Sequence, residues 1–308
     1  MSDKHDLSYY LKCVTGGALA CGLTHTVITP LDLIKCRRQV DPNLYKSLGD
    51  GFSKIKANDG VKGLSVGWAP TLIGYSLQGM GKFGFYELFK DVYAKIAGDN
   101  AEKYKTIGFS ISSASAELIA DVFLCPMEAL KVRMQTSKPG QFPTEFFKAY
   151  NTIKTNEGNN GFYKGLSPLW ARQIPYTIVK FVFFEKTVEM FYKHILNSKP
   201  KNEYSKATQL SVTFASGYIA GVICAIVSHP ADTMVSKLNN IKGENISTGE
   251  AVKKIYGDIG FNGLWRGLST RIIMIGTLTG LQWWIYDTFK SAVGLQTSGG
   301  GFKKQESK

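Results

Sequence analysis

Long apolar segments alternate along the chain with polar stretches rich in glycine and lysine. A helix needs roughly 20 residues to cross a bilayer. Six segments reach that length, at 11–38, 68–91, 107–134, 167–192, 208–238 and 268–291. Proline is tolerated best in the first turn of a helix, and Pro70 and Pro168 stand at such places. The pattern predicts six long helices.

One of these segments is uncharged from Leu210 to Ser228. The other five contain His25, Lys82, Glu117, Asp121, Arg172, Lys180 or Arg271. A water-soluble helical repeat is the alternative interpretation, but a soluble helix exposes a broad charged face. Charges in a spanning helix survive by facing a bundle interior or a watery cavity. Sparse charges therefore favour transmembrane helices around a polar interior.

Three sequence markers recur in the same order at intervals of about 100 residues. They are a Pro-x-acid element at Pro30, Pro126 and Pro230, a Gly-x6-Gly element beginning at Gly60, Gly158 and Gly260, and an aromatic-acid pair ending at Glu87, Glu185 and Asp287. We expect an all-α membrane domain of three homologous two-helix repeats, spanning 1–98, 99–199 and 200–308.

Composition narrows the function. The chain has 308 residues, 37 Lys and Arg against 24 Asp and Glu, a net charge of +13 and 44% hydrophobic residues, which excludes a disordered chain. The basic excess fits an anionic partner, and the absence of nucleic-acid-binding motifs argues against DNA or RNA. Without a nucleotide-type glycine loop, a Ser/His/Asp set or zinc spacing, we expect neither an enzyme nor a cofactor.

Positions −13, −9, −5, +2 and +5 from each repeat proline share one helix face. Small residues at the start of this face permit close helix contact, and the acids and bases further along could pair between neighbouring helices. A proline just before each acid is expected to kink the helix. The five positions are Gly17, Cys21, His25, Asp32 and Lys35 in the first repeat, Ser113, Glu117, Asp121, Glu128 and Lys131 in the second, and Gly217, Gly221, Ala225, Asp232 and Val235 in the third.

The runs PLDLIKCR (30–37) and PMEALKVR (126–133) resemble the Pro-x-[Asp/Glu]-x-x-[Lys/Arg]-x-[Lys/Arg] element of the mitochondrial carrier family. The resemblance, over about 10–291, implies six tilted helices with pseudo-threefold symmetry, short matrix helices and alternating access to one central site. It places the protein in the inner membrane with both termini toward the intermembrane space. We expect a functional monomer in the lipid bilayer.

The resemblance also implies two sets of gate residues. The matrix gate comprises Asp32, Lys35, Glu128, Lys131 and Asp232, and the cytosolic gate comprises Glu87, Lys90, Glu185, Asp287 and Lys290. Each set departs from the family pattern, because Val235 and Val188 stand where lysines are expected. On this pattern Asp232 lacks its in-motif partner, and both gates are incomplete.

Within the family, GYSLQG (74–79), KFG (82–84), RQIPY (172–176), SHPADT (228–233) and GTLT (276–279) are similar to members that import inorganic phosphate with a proton or against hydroxide. Anion binding needs cations that nearby acids do not neutralise, together with polar donors. Lys82, Lys180 and Gln282 occupy symmetric positions and form the predicted anion ring. The full set of substrate candidates is Thr71, Tyr75, Gln78, Lys82, Arg172, Gln173, Tyr176, Lys180 and Gln282.

Proton coupling needs a group that titrates near neutral pH. His25, Glu117 and Asp121 are the candidates, although a buried histidine held by a backbone group is an alternative interpretation. Cys21 and His25 share a helix face and are weak copper candidates, since thiolates select Cu(I). Copper transport, alone or in addition, and transport of another small anion such as a dicarboxylate are the alternative functions.

Overall fold

The computed structural model describes residues 6–41, 43–137, 140–238, 248–265 and 268–298. The side chains at 39, 40, 232, 235–238, 248, 249, 251, 252 and 270 lie outside this description. The described α-helices are α1 (Leu7–Val27), α2 (Thr29–Val40), α3 (Leu48–Gly63), α4 (Trp68–Ala97), α5 (Lys105–Thr136), α6 (Phe146–Glu157), α7 (Asn160–Tyr163), α8 (Leu166–Met190), α9 (Lys206–Leu238), α10 (Thr248–Leu264) and α11 (Leu268–Ala292).

Six long helices close into a ring in which each packs against two others. Their order around the ring is α1, α4, α5, α8, α9, α11 and back to α1. Each repeat contributes two neighbours, which gives the predicted threefold arrangement, and the predicted fold class is confirmed. The connecting helices α3, α6 and α10 mark what we call the lower end. The upper end carries the start of α1 and the end of α11.

The repeat prolines act differently in the three repeats. Pro30 lies in the first turn of α2, and α1 and α2 meet at a bend of 60°. Pro126 and Pro230 lie inside the continuous helices α5 and α9. Because proline lacks an N–H and crowds the preceding turn, it can end or bend a helix. The expected kink is therefore an outright break between helices only in the first repeat.

The first glycine of each Gly-x6-Gly element makes a turn at the end of a connecting helix, inside the printed bounds of α3 and α10 and just after α6. Gly60, Gly158 and Gly260 have φ values of 69°, 65° and 61°, which residues with a Cβ rarely adopt. In the second repeat the short helix α7 lies between Gly158 and Gly165. The recurring first glycine thus reflects a backbone requirement at the same place in each repeat.

Close backbone contact fixes α1 against α4. A Cβ added at Gly17 would overlap the carbonyl oxygen of Gly79, and one added at Gly79 would overlap that of Gly17. In the third repeat Gly217 similarly faces Gly280 across α9 and α11. Such contacts let helix backbones approach closely, and they draw polar side chains of neighbouring helices together inside the ring.

Charges face inward and apolar side chains face outward. Lys82 and Lys180 are each 3% exposed, whereas Ile111 is 55% and Ile273 63% exposed. Among the described residues, α5 and the 206–231 part of α9 are apolar enough to span a bilayer, and the bent α1–α2 pair adds a third span if counted as one. Helices α4 and α8 carry inward-facing charges, which lower their mean hydropathy. This inside-out arrangement excludes the soluble alternative.

Candidate functional site

The centre of the ring contains a buried network of ionisable and amide groups on α4 and α5. Lys82 Nζ lies 2.8 Å from Glu117 Oε2, with side chains 4% and 0% exposed. One turn away, Gln78 Nε2 donates to Glu117 Oε1 at 2.8 Å and to Asp121 Oδ1 at 3.1 Å. Each helix presents two residues four positions apart, so both contribute from one face. Two carboxyl groups therefore share the amide of Gln78, and one of them, Glu117, also pairs with Lys82.

Lys180, on α8 across the ring, has different surroundings. Its Nζ donates to Gln282 Oε1 at 3.4 Å and lies 5.7 Å from the ring centroid of Tyr176. Among the described side chains, no carboxylate lies within ion-pair distance of this 3% exposed lysine. The sequence predicts one ring of Lys82, Lys180 and Gln282. The structure instead neutralises Lys82 with Glu117 and leaves Lys180 as the cation held only by a neutral amide.

His25 joins this centre from α1. Its ring stacks on Tyr75, with centroids 3.6 Å apart and planes 10° from parallel. His25 Nε2 lies 3.1 Å from Gln282 Nε2, so Gln282 connects the histidine to Lys180. The alternative of a histidine held by the backbone is not the contact found, because its ring meets two side chains.

The remaining substrate candidates lie nearer the lower end. Thr71 is buried and donates to the carbonyl of Gly67 within α4 at 2.7 Å. Arg172 is exposed and Gln173 partly buried. Since a helix rises about 1.5 Å per residue, Arg172 lies about 12 Å below Lys180 along α8. The structure thus groups Tyr75, Gln78, Lys82, Lys180 and Gln282, and places Thr71, Arg172 and Gln173 on the approach from the lower end.

The residues of the predicted matrix gate lie at the lower end of the ring, and we call them the lower gate. They centre on Lys131. Its Nζ lies 2.8 Å from Asp32 in the first repeat and 3.0 Å from Glu128 in its own. Tyr75 also donates to Glu128, at 3.4 Å. Lys35 is partly buried, while the side chains of Asp232 and Val235 lie outside the described residues.

The Lys131–Asp32 pair shows that a lysine of one repeat reaches the acid of the preceding repeat. Lys131 also pairs with Glu128 of its own repeat, so one lysine joins the acids of two repeats. The prediction that Asp232 lacks its in-motif partner concerns side chains outside the described residues. The sequence predicts pairing between neighbouring helices, and the structure shows that Lys131 contacts the acid of its own motif as well as that of the preceding one.

The residues of the predicted cytosolic gate lie at the upper end of the ring, and we call them the upper gate. There, Lys90 Nζ lies 3.2 Å from Glu87 Oε2 and 3.5 Å from Glu185 Oε1. Tyr9 donates to Glu87 at 3.0 Å and Tyr86 to Glu185 at 3.2 Å. Each carboxylate therefore has a hydroxyl donor as well as the shared lysine. Here a lysine of the first repeat reaches the acid of the second.

By the same step from one repeat to the next, the lysine position of the second repeat would face Asp287 of the third. That position is Val188. Asp287 is fully buried and accepts instead from Thr213 at 2.8 Å and from the backbone N–H of Ser298 at 2.9 Å. Lys290 donates to Ser298 Oγ at 3.3 Å. Residues 295–298, which we call the C-terminal strap, thus satisfy the acid whose lysine is missing.

The loop between the second and third repeats holds the strap. Lys201 donates to the carbonyl oxygens of Thr297 and Ser298, both at 2.8 Å, and Thr297 donates to Gln209 at 2.9 Å. Burial disfavours the charged ammonium and lowers the pKa of Lys201 to about 8. The sequence analysis missed the strap, because a short polar segment after the last helix carries no periodic signal.

An aromatic triangle lies beside the central network. Phe83, Phe181 and Trp283 have ring centroids 5.1–5.5 Å apart and are at most 1% exposed. They follow Lys82, Lys180 and Gln282 directly, so each repeat supplies one ring at the same position. This repeat-wise coincidence was visible in the sequence and could have predicted the triangle.

The geometry of the described residues gives little support for a metal site. Cys21 is 1% exposed, and the described residues contain no group of three or more His, Cys, Asp or Glu side chains placed to hold a metal ion. The copper alternative therefore has no structural support.

A closed ring of three two-helix repeats, with a buried cationic centre and ion-paired gates at both ends, defines a membrane carrier. The chain matches the family described as mitochondrial carrier protein over residues 6–97, 102–195 and 206–296, and it belongs to that family. It is accordingly a transport protein rather than an enzyme.

Curated relatives are similar over nearly the whole chain. The probable mitochondrial phosphate carrier protein of Schizosaccharomyces pombe is 56% identical over 94% of this chain and 93% of its own length. The mitochondrial phosphate carrier protein of Caenorhabditis elegans is 57% identical over 93% of this chain and 82% of its own. Human solute carrier family 25 member 3 is 54% identical over 92% and 76%.

Proposed function

We propose that this protein imports inorganic phosphate across the mitochondrial inner membrane, coupled to a proton, by alternating access. The observation that carries the proposal is Lys180, a buried cation with a neutral partner beside a lysine already paired with an acid. An oxyanion entering the centre would complete this charge balance. Relatives at 56% and 57% identity are named for phosphate.

The proton is assigned to the carboxyl pair and His25. Glu117 and Asp121 are both 0% exposed and share the amide of Gln78, while Lys82 pairs, among the described side chains, with Glu117 alone. Asp121 Oδ2 has no hydrogen-bond partner among the described groups, and a buried carboxylate oxygen without a partner is costly. A proton on this pair removes that cost, and transfer between the pair and His25 would let phosphate and proton move together. Hydroxide moving the other way is the equivalent description.

Alternating access is supported by gates at both ends of the central layer. The lower gate is assigned to the matrix side and the upper gate, with both described termini, to the intermembrane space. Because one chain encloses the whole central layer, the proposed functional unit is a monomer.

The test is uptake of radiolabelled phosphate into liposomes containing the full chain, with an alkaline interior. We expect wild-type uptake to follow the gradient and Lys180→Met to lose it at least about 100-fold, the usual scale for a buried charge-assisted contact. Lys186→Met is the matched control, because Lys186 lies on the same helix and is exposed. Uptake of malate or Cu(I) without phosphate, or equal phosphate uptake by Lys180→Met, would contradict the proposal.

A further inference from the structure

Gln282 is the one side chain in the described centre that contacts both Lys180 and His25. Its Oε1 lies 3.4 Å from Lys180 Nζ, and its Nε2 lies 3.1 Å from His25 Nε2. Gln282 is 3% exposed, so water does not readily replace either contact. The two ends of one amide therefore face two ionisable groups.

Chemistry fixes which way this amide points. A lysine ammonium only donates hydrogen bonds, so the amide oxygen must face Lys180. The amide nitrogen also only donates, so His25 Nε2 must be an acceptor. The ring is then neutral, with its hydrogen on Nδ1. Stacking on Tyr75 at 3.6 Å holds the ring plane.

Protonation of His25 would break this arrangement, because Nε2–H and the amide NH2 would face each other as two donors. A half-turn of the amide about its terminal bond restores a hydrogen bond by presenting Oε1 to the ring. The same turn presents NH2 to Lys180, which then loses its acceptor. We propose that Gln282 is a two-position relay that frees Lys180 for phosphate when His25 takes up a proton. This inference rests on the proposed phosphate function.

Three lysines against one carboxylate tie protonation of His25 to the arrival of an anion. The charged groups facing the ring are Lys131 from α5, Asp32 from α2, Lys180 from α8 and Lys82 from α4, and Tyr75 of α4 covers one face. From α11 the ring meets the neutral Gln282. Bound phosphate would add the negative charge that offsets these lysines, so proton and phosphate favour each other's binding.

The relay also accounts for the break in threefold symmetry. The equivalent positions carry Lys82 and Lys180, which donate only. An amide can exchange its donor and acceptor ends and so serve both neighbours, which a lysine cannot do. Gln282 is thus a positioning residue, acting on phosphate through Lys180.

The first experiment separates binding from coupling in liposomes containing the full chain. Gln282→Met keeps the volume but can neither donate to His25 nor accept from Lys180 in this way. We expect gradient-driven net uptake to fall about tenfold more than phosphate/phosphate exchange at equal pH, within the usual range of coupling between sites. The ionisation of phosphate changes with pH in the same way for wild type and variant, so it cancels from the comparison between them.

Gln209→Met is the matched control, since Gln209 is a buried amide near the upper end that bonds Tyr204 and Thr297. It should keep the wild-type ratio of net uptake to exchange. A wild-type ratio in Gln282→Met would overturn the relay. Loss of both modes in a Gln282→Met protein with a native melting temperature would also overturn it, by making Gln282 a plain binding residue.

The second experiment reads the histidine directly and needs no phosphate. The chain has four histidines, and His25→Asn identifies the His25 ring signals in a 15N-histidine NMR spectrum. At alkaline pH we expect His25 of the wild type to be neutral, with its hydrogen on Nδ1. In Gln282→Met we expect no single tautomer. In Gln282→Glu we expect the ring to stay protonated at pH 8, because the new carboxylate accepts from Nε2–H.

Hydrogen on Nε2 in neutral wild-type His25 would refute the relay, as would a neutral ring in Gln282→Glu at pH 8. If wild type moved no phosphate in either mode, the proposed function would fail and the relay as a phosphate device would fail with it. Phosphate transport with the wrong tautomer would overturn the relay alone.

Discussion

The buried Lys82–Glu117 pair offers a quantitative test of the central charge balance. At 2.8 Å and almost no exposure, the attraction is about 6 kcal/mol with an effective dielectric constant of about 20. Desolvation of the two charges offsets much of this. Removing one partner leaves the other charge buried alone, at a cost of about 3–5 kcal/mol.

We therefore expect Lys82→Met and Glu117→Gln each to lower the free energy of unfolding by about 3–5 kcal/mol. The double variant should lose no more than about 2 kcal/mol, because replacing both charges removes the penalty along with the attraction. The double-mutant cycle then gives a coupling of at least about 4 kcal/mol.

Unfolding can be followed with a thiol-reactive fluorophore in detergent, because buried thiols react only after the protein opens. The buried thiols are those of Cys13, Cys21, Cys125 and Cys224. The matched control is the exposed Lys54–Asp50 pair on α3, at 3.0 Å, for which the same cycle should give less than about 1 kcal/mol. Additive losses in Lys82→Met and Glu117→Gln would refute the reasoning, and the contrast between a paired Lys82 and Lys180 would disappear.

Three further predictions concern helix contact, the strap and pH. Gly17→Ala should lower stability by about 1–3 kcal/mol in thermal melts through backbone overlap, whereas Gly257→Ala, where a Cβ meets nothing within 4 Å, should not. Ser298→Pro removes the N–H that Asp287 accepts and should cost about 1–3 kcal/mol in the same assay; an equal loss in Ser298→Ala, which keeps the N–H, would contradict the strap's role. Because the pKa of Lys201 is lowered to about 8, the unfolded chain binds more protons above pH 8, so stability relative to Lys201→Met should rise by about 2 kcal/mol from pH 8 to 9.5, and a constant difference would contradict this.

Periodicity and repetition were enough to predict the helices and their inner faces. The 100-residue markers indicated three repeats, and the sparse charges of the apolar segments predicted that Lys82 and Lys180 face the interior, where both are buried. These features are local, since a helix face depends only on spacing along one segment. The recurring Gly60, Gly158 and Gly260 were predictable for the same reason, because a left-handed turn is a property of one residue.

Partners between helices could not be predicted in this way. Spacing gives the face of a helix but not its height or rotation relative to its neighbours. The pairing of Lys82 with Glu117, the reach of Lys131 to Asp32 and the contact of Gln282 with His25 all depend on that offset. The anion ring drawn from symmetry stays a prediction, and symmetry alone could not show that Glu117 pairs with one of its lysines.

The two gates differ in how much must be broken to open them. At the upper end, Glu185 and Asp287 are 2% and 0% exposed, and the aromatic triangle and the strap add further contacts. At the lower end, the side chains of Asp32 and Glu128 are 27% and 17% exposed. Charges that already meet water cost less to separate than buried ones. On the proposed alternating-access mechanism, we therefore expect the described conformation to open first at the lower end, and loosening the strap to favour the upper end.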